Sequence, residues 1–229
     1  VEIRTYRAIN REKEFYGILS AYDENTVTIK TEDGTEMTFE KSDIALIQAT
    51  LEETDKEGFH RAVEMILSAR RVYILGLRSS AALADFLGFY FNLVFDNIVV
   101  VHTTSSSEIF EQLLRVGPED VVIGLSFPRY SSRTVQAMRF ARDRGARIVA
   151  LTDSETSPLA ETATALLLAR SDMASFVDSL VAPLSLVNAL IVAVGRQRNG
   201  DVEQTFTRLE RIWSEYEVYE QVEEEEQRE

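Results

Sequence analysis

The chain has 229 residues, 45% of them hydrophobic, and a formal net charge of −14 at pH 7, which suits one or two globular domains with proper cores. Its acidic excess argues against a broad nucleic-acid surface, which needs clustered lysine and arginine, so we expect no direct nucleic-acid binding by this chain. With no cysteine and two histidines, we expect no disulfide and no metal site, and nothing in the composition indicates another cofactor.

Short β-type runs fill residues 1–51. Residues 26–31 (TVTIKT) alternate polar and apolar side chains, and the Asp-Gly pair at 33–34 is a strong hairpin signal. Residues 36–39 supply a return strand, and residues 44–50 indicate a further one. Several short strands joined by tight turns predict a small barrel.

This N-terminal segment resembles the C-terminal domain of the RimP family of ribosome maturation factors. The resemblance is carried by residues 6–10, 15–19, 26–31, 33–34 and 39–44. It implies an SH3-like barrel and, through the family, a role in assembly of the small ribosomal subunit. From the residues alone, we favour a small β domain that serves for interaction or packing.

Strand and helix patterns alternate after residue 58. Uninterrupted apolar runs are typical of strands buried on both faces of a parallel sheet, and they are separated by stretches with helical spacing. The predicted strands are residues 72–76, 97–102, 120–126, 147–152 and 163–169. The pattern predicts an α/β domain, a five-stranded parallel sheet with helices on both faces, over residues 59–218. The polar residues 52–58 are the expected linker, and residues 219–229 are the expected acidic tail.

A polar loop follows the first predicted strand and opens a helix. It contains Gly76, Arg78, Ser79 and Ser80. Backbone N–H groups at a helix start have no intrahelical partner, so an anion can bind there. The loop therefore predicts a phosphate site, with an ordinary strand–helix turn and a serine N-cap as the alternative.

A second polar loop follows the third predicted strand, at the same edge of the sheet, where ligands of open α/β sheets bind. Its candidate ligand-binding residues are Ser126, Arg129, Ser131, Ser132, Arg133 and Thr134. Hydroxyl groups and helix-start N–H groups suit a phosphate monoester, and arginines in an acidic chain favour an anionic small molecule. The alternative is that the arginines pair with nearby acidic residues.

Residues 55–218 resemble a SIS (sugar isomerase) domain of the kind found in RpiR family transcriptional regulators. The resemblance is carried by residues 73–80, 120–134, 145–154 and 157–160. It implies a phosphorylated sugar as ligand, pairing of two SIS domains, and phosphate-loop roles for Ser80, Ser126, Ser131 and Thr134. Arg78 stands where many members have glycine. The second loop is longer than the serine-glycine form of the catalytic members.

Three functions are compatible with these features. The favoured one is a sugar-phosphate sensor in a carbohydrate-responsive regulator. The second is an aldose–ketose sugar-phosphate isomerase, which needs a placed general base; His102 and Glu108 are the candidates at the right edge of the sheet. The third is a ribosome-assembly module carried by residues 1–51.

Residues 176–195 are apolar almost all round. Asp178, Pro183, Ser185 and Asn188 interrupt the run and no basic residues flank it, so we interpret it as a core and dimer helix rather than a membrane span. Residues 202–216 predict a last amphipathic helix. We expect a homodimer without membrane contact and, since no leader pattern opens the sequence, a cytoplasmic location.

Overall fold

A five-stranded parallel sheet forms the centre of the molecule. The computed structural model describes residues 2–9, 12–16, 18–22, 26–30, 36–103, 105–171 and 178–219. The strands of this sheet are β6 (Val72–Gly76), β7 (Ile98–Val100), β8 (Val121–Leu125), β9 (Arg147–Thr152) and β10 (Ala165–Leu168), in the order β10-β9-β8-β6-β7. Each lies within a predicted run, and the predicted parallel α/β sheet is confirmed.

The central strands are apolar without interruption because both of their faces are covered. In β6, Val72 and Ile74 belong to the core on one face of the sheet, whereas Tyr73 and Leu75 belong to the core on the other. All four are at most 1% exposed. Alternate side chains of a strand point to opposite faces, so a strand covered on both sides keeps an apolar residue at every position.

Helices cover both faces of the sheet. On one face lie α2 (Lys56–Leu67), α3 (Ala81–Asn92) and α6 (Val181–Gln197), and on the other lie α4 (Ser106–Gln112) and α5 (Ser132–Asp143). The first strand therefore leads into α3 and the third into α5. Both predicted ligand loops are placed at strand-to-helix junctions along one edge.

The predicted strand over residues 44–50 is wrong, because these residues lie in helix α1 (Lys41–Glu53). Leu46 and Thr50 are both buried, at 8% and 6% exposure. They are four residues apart, which places them on one helix face, and α1 packs with them against α6. The helix continues past residue 51, and α2 begins at Lys56, so most of the segment expected to link two domains is helical. The division into domains stays a prediction.

The N-terminal strands form two antiparallel sheets. The first pairs β1 (Glu2–Ile9) with β2 (Glu12–Tyr16), and the second joins β3 (Ile18–Tyr22), β4 (Thr26–Lys30) and β5 (Glu36–Glu40). The antiparallel pairing of β4 with β5 agrees with the predicted hairpin, although residues 33–34 themselves lie outside the described residues. The SH3-like barrel stays a prediction.

The long apolar helix is part of the core. Helix α6 buries one face among α1, α2 and α3, and its buried residues are Ala182, Pro183, Leu186, Val187, Leu190 and Val194. Among the described residues, no helix is both long and apolar enough to cross a membrane. The predicted amphipathic helix is α7 (Asn199–Glu215), none of whose residues is buried. Of the expected acidic tail, residues 220–229 lie outside the described residues.

Candidate anion-binding site

Two adjoining cavities open at the carboxyl ends of β6 and β8. The first, of about 240 Å³, is lined by Leu77, Arg78, Ser79, Ser80, Ser126, Phe127, Pro128, Arg129, Ser131, Asp178 and Leu180. The second, of about 480 Å³, is lined by Leu77, Arg78, Thr103, Tyr130, Ser131, Ser132 and Arg133. Three residues, Leu77, Arg78 and Ser131, belong to both. The two predicted ligand loops therefore face each other across shared space.

The first loop folds tightly over the end of β6. Residues Arg78–Ser80 form a 3-10 turn, in which Ser80 N donates to Leu77 O at 3.2 Å. Gly76 permits this approach, because a Cβ there would lie 2.4 Å from Ser80 O. Arg78 adopts a left-handed conformation with φ of 59°, which an L residue enters at a free-energy cost. The turn leaves Ser80 4% exposed at the cavity wall and Arg78 exposed at its mouth.

The second loop is held by its own serines. Ser131 N donates to Ser126 Oγ at 3.2 Å, and Thr134 N donates to Ser131 Oγ at 3.3 Å. The second bond makes Ser131 the N-cap of α5. Each hydroxyl oxygen accepts a backbone N–H, and neither hydroxyl donates a hydrogen bond within the described residues, so Ser126 and Ser131 can donate to a ligand that accepts.

An ion pair forms part of the wall of the first cavity. Arg129, which also has a left-handed conformation with φ of 63°, donates from Nη2 to Asp178 Oδ2 at 3.0 Å. The Asp178 side chain is 11% exposed, whereas that of Arg129 is 63% exposed. Asp178 thus brings a negative charge into a cavity whose other polar side chains are serines and arginines. The sequence interpretation missed it as a site residue, because it precedes α6 rather than following a strand.

Tyr130 ties the second loop to the end of β9. Its hydroxyl donates to Asp153 Oδ1 at 2.8 Å, and Thr152 Oγ1 donates to the same oxygen at 3.2 Å. Burial, with the hydrogen bond to Asp153 as the next cause, raises the pKa of Tyr130 to about 12. Tyr130 is therefore a neutral donor at ordinary pH. In the sequence, the polar residues that follow the predicted strand 147–152 are the feature that could have indicated this contact.

Most predicted site residues come together here. Arg78, Ser79, Ser80, Ser126, Arg129 and Ser131 line the first cavity, and Ser132 and Arg133 line the second. Gly76 acts through the backbone alone. Thr134 differs from the prediction: it is fully buried on the inner side of α5 and lines neither cavity. Its Oγ1 has no hydrogen-bond partner within the described part of the chain.

The two candidate acid–base residues lie outside both cavities. The His102 side chain is 67% exposed, and its Nδ1 lies 3.3 Å from Asp85 Oδ1. Glu108 accepts a hydrogen bond from Thr103 Oγ1. Across the described ranges, no group of three or more histidine, aspartate or glutamate side chains is arranged to hold a metal ion.

The fold and the cavities define a doubly wound α/β domain with hydroxyl and arginine side chains at the carboxyl ends of its strands. Residues 65–193, more than half of the chain, match the SIS domain family. The chain belongs to the SIS domain family.

Regulators are among its relatives. It is similar to the sugar isomerase domain of an RpiR transcription factor from Sphaerobacter thermophilus, with a TM-score of 0.71 and 32% identity over 75% of this chain and 95% of that one. It is 30% identical to the regulator HexR of Escherichia coli K12 over 54% of this chain and 42% of HexR.

A similar fold occurs in the Vibrio vulnificus NanR protein complexed with ManNAc-6P, with a TM-score of 0.65 and 18% identity over 75% of this chain and 67% of NanR. The matched region spans between 40% and 56% of the length of the curated HTH-type regulators.

Proposed function

We propose that this SIS domain binds a phosphorylated sugar and acts as the ligand sensor of a carbohydrate-responsive transcription regulator. The observation that carries the proposal is the convergence of Ser80, Ser126 and Ser131 with Arg78 and Arg129 around one cavity. The family membership and the ligand of NanR support the same class of ligand.

The donors in the cavity match a phosphate monoester. A phosphate dianion has several acceptor oxygens and no strong donor, so it needs hydroxyl, amide and guanidinium N–H groups around it. Ser126 and Ser131 offer hydroxyl hydrogens, and the first turn of α5 offers backbone N–H groups at the positive end of its helix dipole. Arg78 supplies positive charge at the mouth of the cavity.

Sensing is favoured over isomerisation by the positions of His102 and Glu108. A general base must reach the carbon-bound proton that it removes, directly or through one water. His102 pairs with Asp85 and Glu108 bonds to Thr103, and neither lines the cavities that hold the candidate ligand groups. Binding alone requires no such base.

Removal of one hydroxyl tests the site. Ser80→Ala should weaken a hexose 6-phosphate about 10- to 150-fold, since a hydrogen bond to a charged acceptor contributes about 1.5–3 kcal/mol. Ser131→Ala should weaken it similarly, with about 1 kcal/mol of stability lost in addition because Ser131 caps α5. The measurement is isothermal titration calorimetry.

Ser68→Ala is the matched control for these variants, because Ser68 lies at the end of α2 and its hydroxyl donates to Glu64 O. It should bind as the unaltered protein does. If Ser80→Ala and Ser131→Ala both bound the hexose 6-phosphate as tightly as the unaltered protein, the site assignment would be contradicted.

We also propose a homodimer. Helix α7 presents apolar side chains that nothing in the described chain buries: Phe206 is 38% exposed, Ile212 40% and Tyr216 71%. Contiguous exposed apolar surface is typical of an interaction site. A second copy of the chain, as the family resemblance implies, would cover it.

For residues 1–51 we propose a small SH3-like β module for interaction, in a cytoplasmic protein. The antiparallel pairing of β3, β4 and β5 supports a compact β unit there. If these residues had a ribosomal role, the protein should co-purify with small ribosomal subunits only while residues 1–51 are present. Without such co-purification, the interaction module would remain the proposal for this segment.

A further inference from the structure

Asp178 is a carboxylate in a cavity built for an anion. Its Oδ2 accepts from Arg129 Nη2 at 3.0 Å. Its Oδ1 is buried and has no hydrogen-bond partner among the residues that the structure describes. A buried acceptor left without a partner is unfavourable, and most such oxygens in native proteins are paired. The same carboxylate also repels a phosphate, so its position in this wall calls for a ligand group that compensates.

We propose that Asp178 selects the sugar part of the ligand, by accepting at Oδ1 a hydrogen bond from a donor on the carbon skeleton, a hydroxyl or an ammonium group. This inference rests on the proposed function, since it concerns the same cavity. A phosphorylated sugar carries an anionic end and a donor-rich end. The serine loops suit the first, and Asp178 suits the second.

Arg129 determines which oxygen is available. Because its guanidinium binds Oδ2, Oδ1 is the carboxylate oxygen that is left without a partner among the described residues. A phosphorylated sugar acid that placed its carboxylate against Oδ1 would be repelled, since like charges at close range in a partly buried site disfavour each other. The expected ligand class is therefore a neutral or amino sugar phosphate.

Asp178→Asn separates the two ends of the ligand. The amide keeps an acceptor for Arg129 and turns the open position into a donor, while one negative charge is lost. Inorganic phosphate, the probe that lacks the sugar, should bind the variant as tightly as before or more tightly. The preference for a hexose 6-phosphate over inorganic phosphate, expressed as the ratio of the two Kd values, should fall about tenfold or more.

The experiment is calorimetric titration of the full chain, with ligands that bind weakly measured by competition. The ligands are inorganic phosphate and the 6-phosphates of glucose, fructose, mannose, glucosamine and N-acetylmannosamine. Asp201→Asn is the matched control, because Asp201 also pairs with an arginine, Arg198, at 3.2 Å but lies on α7. In this control, the ratio of the Kd values for inorganic phosphate and for a hexose 6-phosphate should stay that of the unaltered protein. If Asp178→Asn lost more affinity for glucosamine 6-phosphate than for glucose 6-phosphate, the donor would be an ammonium group. If it lost more affinity for glucose 6-phosphate, the donor would be a hydroxyl group.

A second measurement needs no variant. On the unaltered protein, at least one of the deoxy analogues of the best-bound hexose 6-phosphate should bind about tenfold more weakly than its parent. An unchanged ratio in Asp178→Asn, or equal affinities for all deoxy analogues, would overturn the inference and leave Asp178 as a support for Arg129. A protein that binds no sugar phosphate at all would instead overturn the proposed function.

Discussion

Replacing Arg78 by glycine should stabilise the protein and weaken its ligand binding at the same time. Arg78 has φ of 59°, a conformation that glycine adopts freely and other L residues do not. The same residue contributes a guanidinium to both cavities. The two effects of Arg78→Gly on folding and on binding therefore have opposite signs.

The magnitude follows from two terms in folding and one in binding. Relief of the left-handed conformation is expected to contribute about 1–2 kcal/mol. The greater freedom of glycine in the unfolded chain opposes it by about 0.4–1 kcal/mol. The net gain of about 0–1.6 kcal/mol corresponds to a rise of up to about 6 °C in Tm for a chain of this size. Loss of the charged donor should weaken a sugar phosphate about 10- to 150-fold.

Scanning calorimetry without ligand and calorimetric titration with a hexose 6-phosphate measure the two effects. Arg78→Ala is the matched control, because it removes the charge but keeps a Cβ in the left-handed conformation. It should lose affinity without the rise in Tm. A lower Tm for Arg78→Gly than for Arg78→Ala would refute the strain argument, and unchanged affinity in both would refute the role of Arg78.

Two further predictions concern Tyr130 and α7. The pKa of Tyr130 is raised to about 12 from about 10, so its contribution to stability is complete below about pH 10 and is lost as the pH rises through 12. Tyr130→Phe should therefore lose less stability than the unaltered protein between these pH values in urea unfolding; equal losses would contradict the raised pKa of Tyr130. Phe206→Glu should yield a monomer by light scattering at micromolar concentration, whereas Gln204→Glu, on the opposite face of α7, should not. A monomeric unaltered protein would contradict the dimer.

The parallel sheet could be predicted because its strands are covered on both faces. Burial on both sides requires an apolar residue at every position, and such a run is visible in the sequence at Val72–Gly76 and Val121–Leu125. The two polar loops were also predictable as strand-to-helix junctions, since serine directly after a buried strand is typical of a helix start. Local pattern and tertiary structure agree at these positions.

The segment before α2 could not be predicted from its local pattern. Residues 44–50 contain isoleucine, leucine and threonine, which suit a strand, yet Leu46 and Thr50 are buried on one face of α1, and α1 packs against α6. That contact joins residues more than a hundred positions apart, so a local pattern does not contain it. Tertiary packing decides the conformation of such a segment over its intrinsic propensity.

At two positions the cavity lining differs from the sequence prediction for the same reason. Asp178 lines the cavity although it lies just before α6 and does not directly follow a strand. Thr134 has the hydroxyl expected of a phosphate residue, but the third position after the N-cap of α5 turns inward, and the residue is fully buried. Tertiary structure, rather than residue type, determines that Asp178 lines the cavity and Thr134 does not.

The central claim is that the cavity between the two serine loops binds a sugar phosphate without converting it. The most direct measurement is an NMR time course of candidate hexose and pentose phosphates with the purified protein in deuterated water. We predict a shifted or broadened phosphorus signal for a sugar phosphate with the unaltered protein, a smaller change at the same concentrations with Ser80→Ala, and no deuterium on the carbon beside the carbonyl. Deuterium that appears there with the unaltered protein, and is lost with His102→Ala or Glu108→Gln, would contradict the account and identify an isomerase.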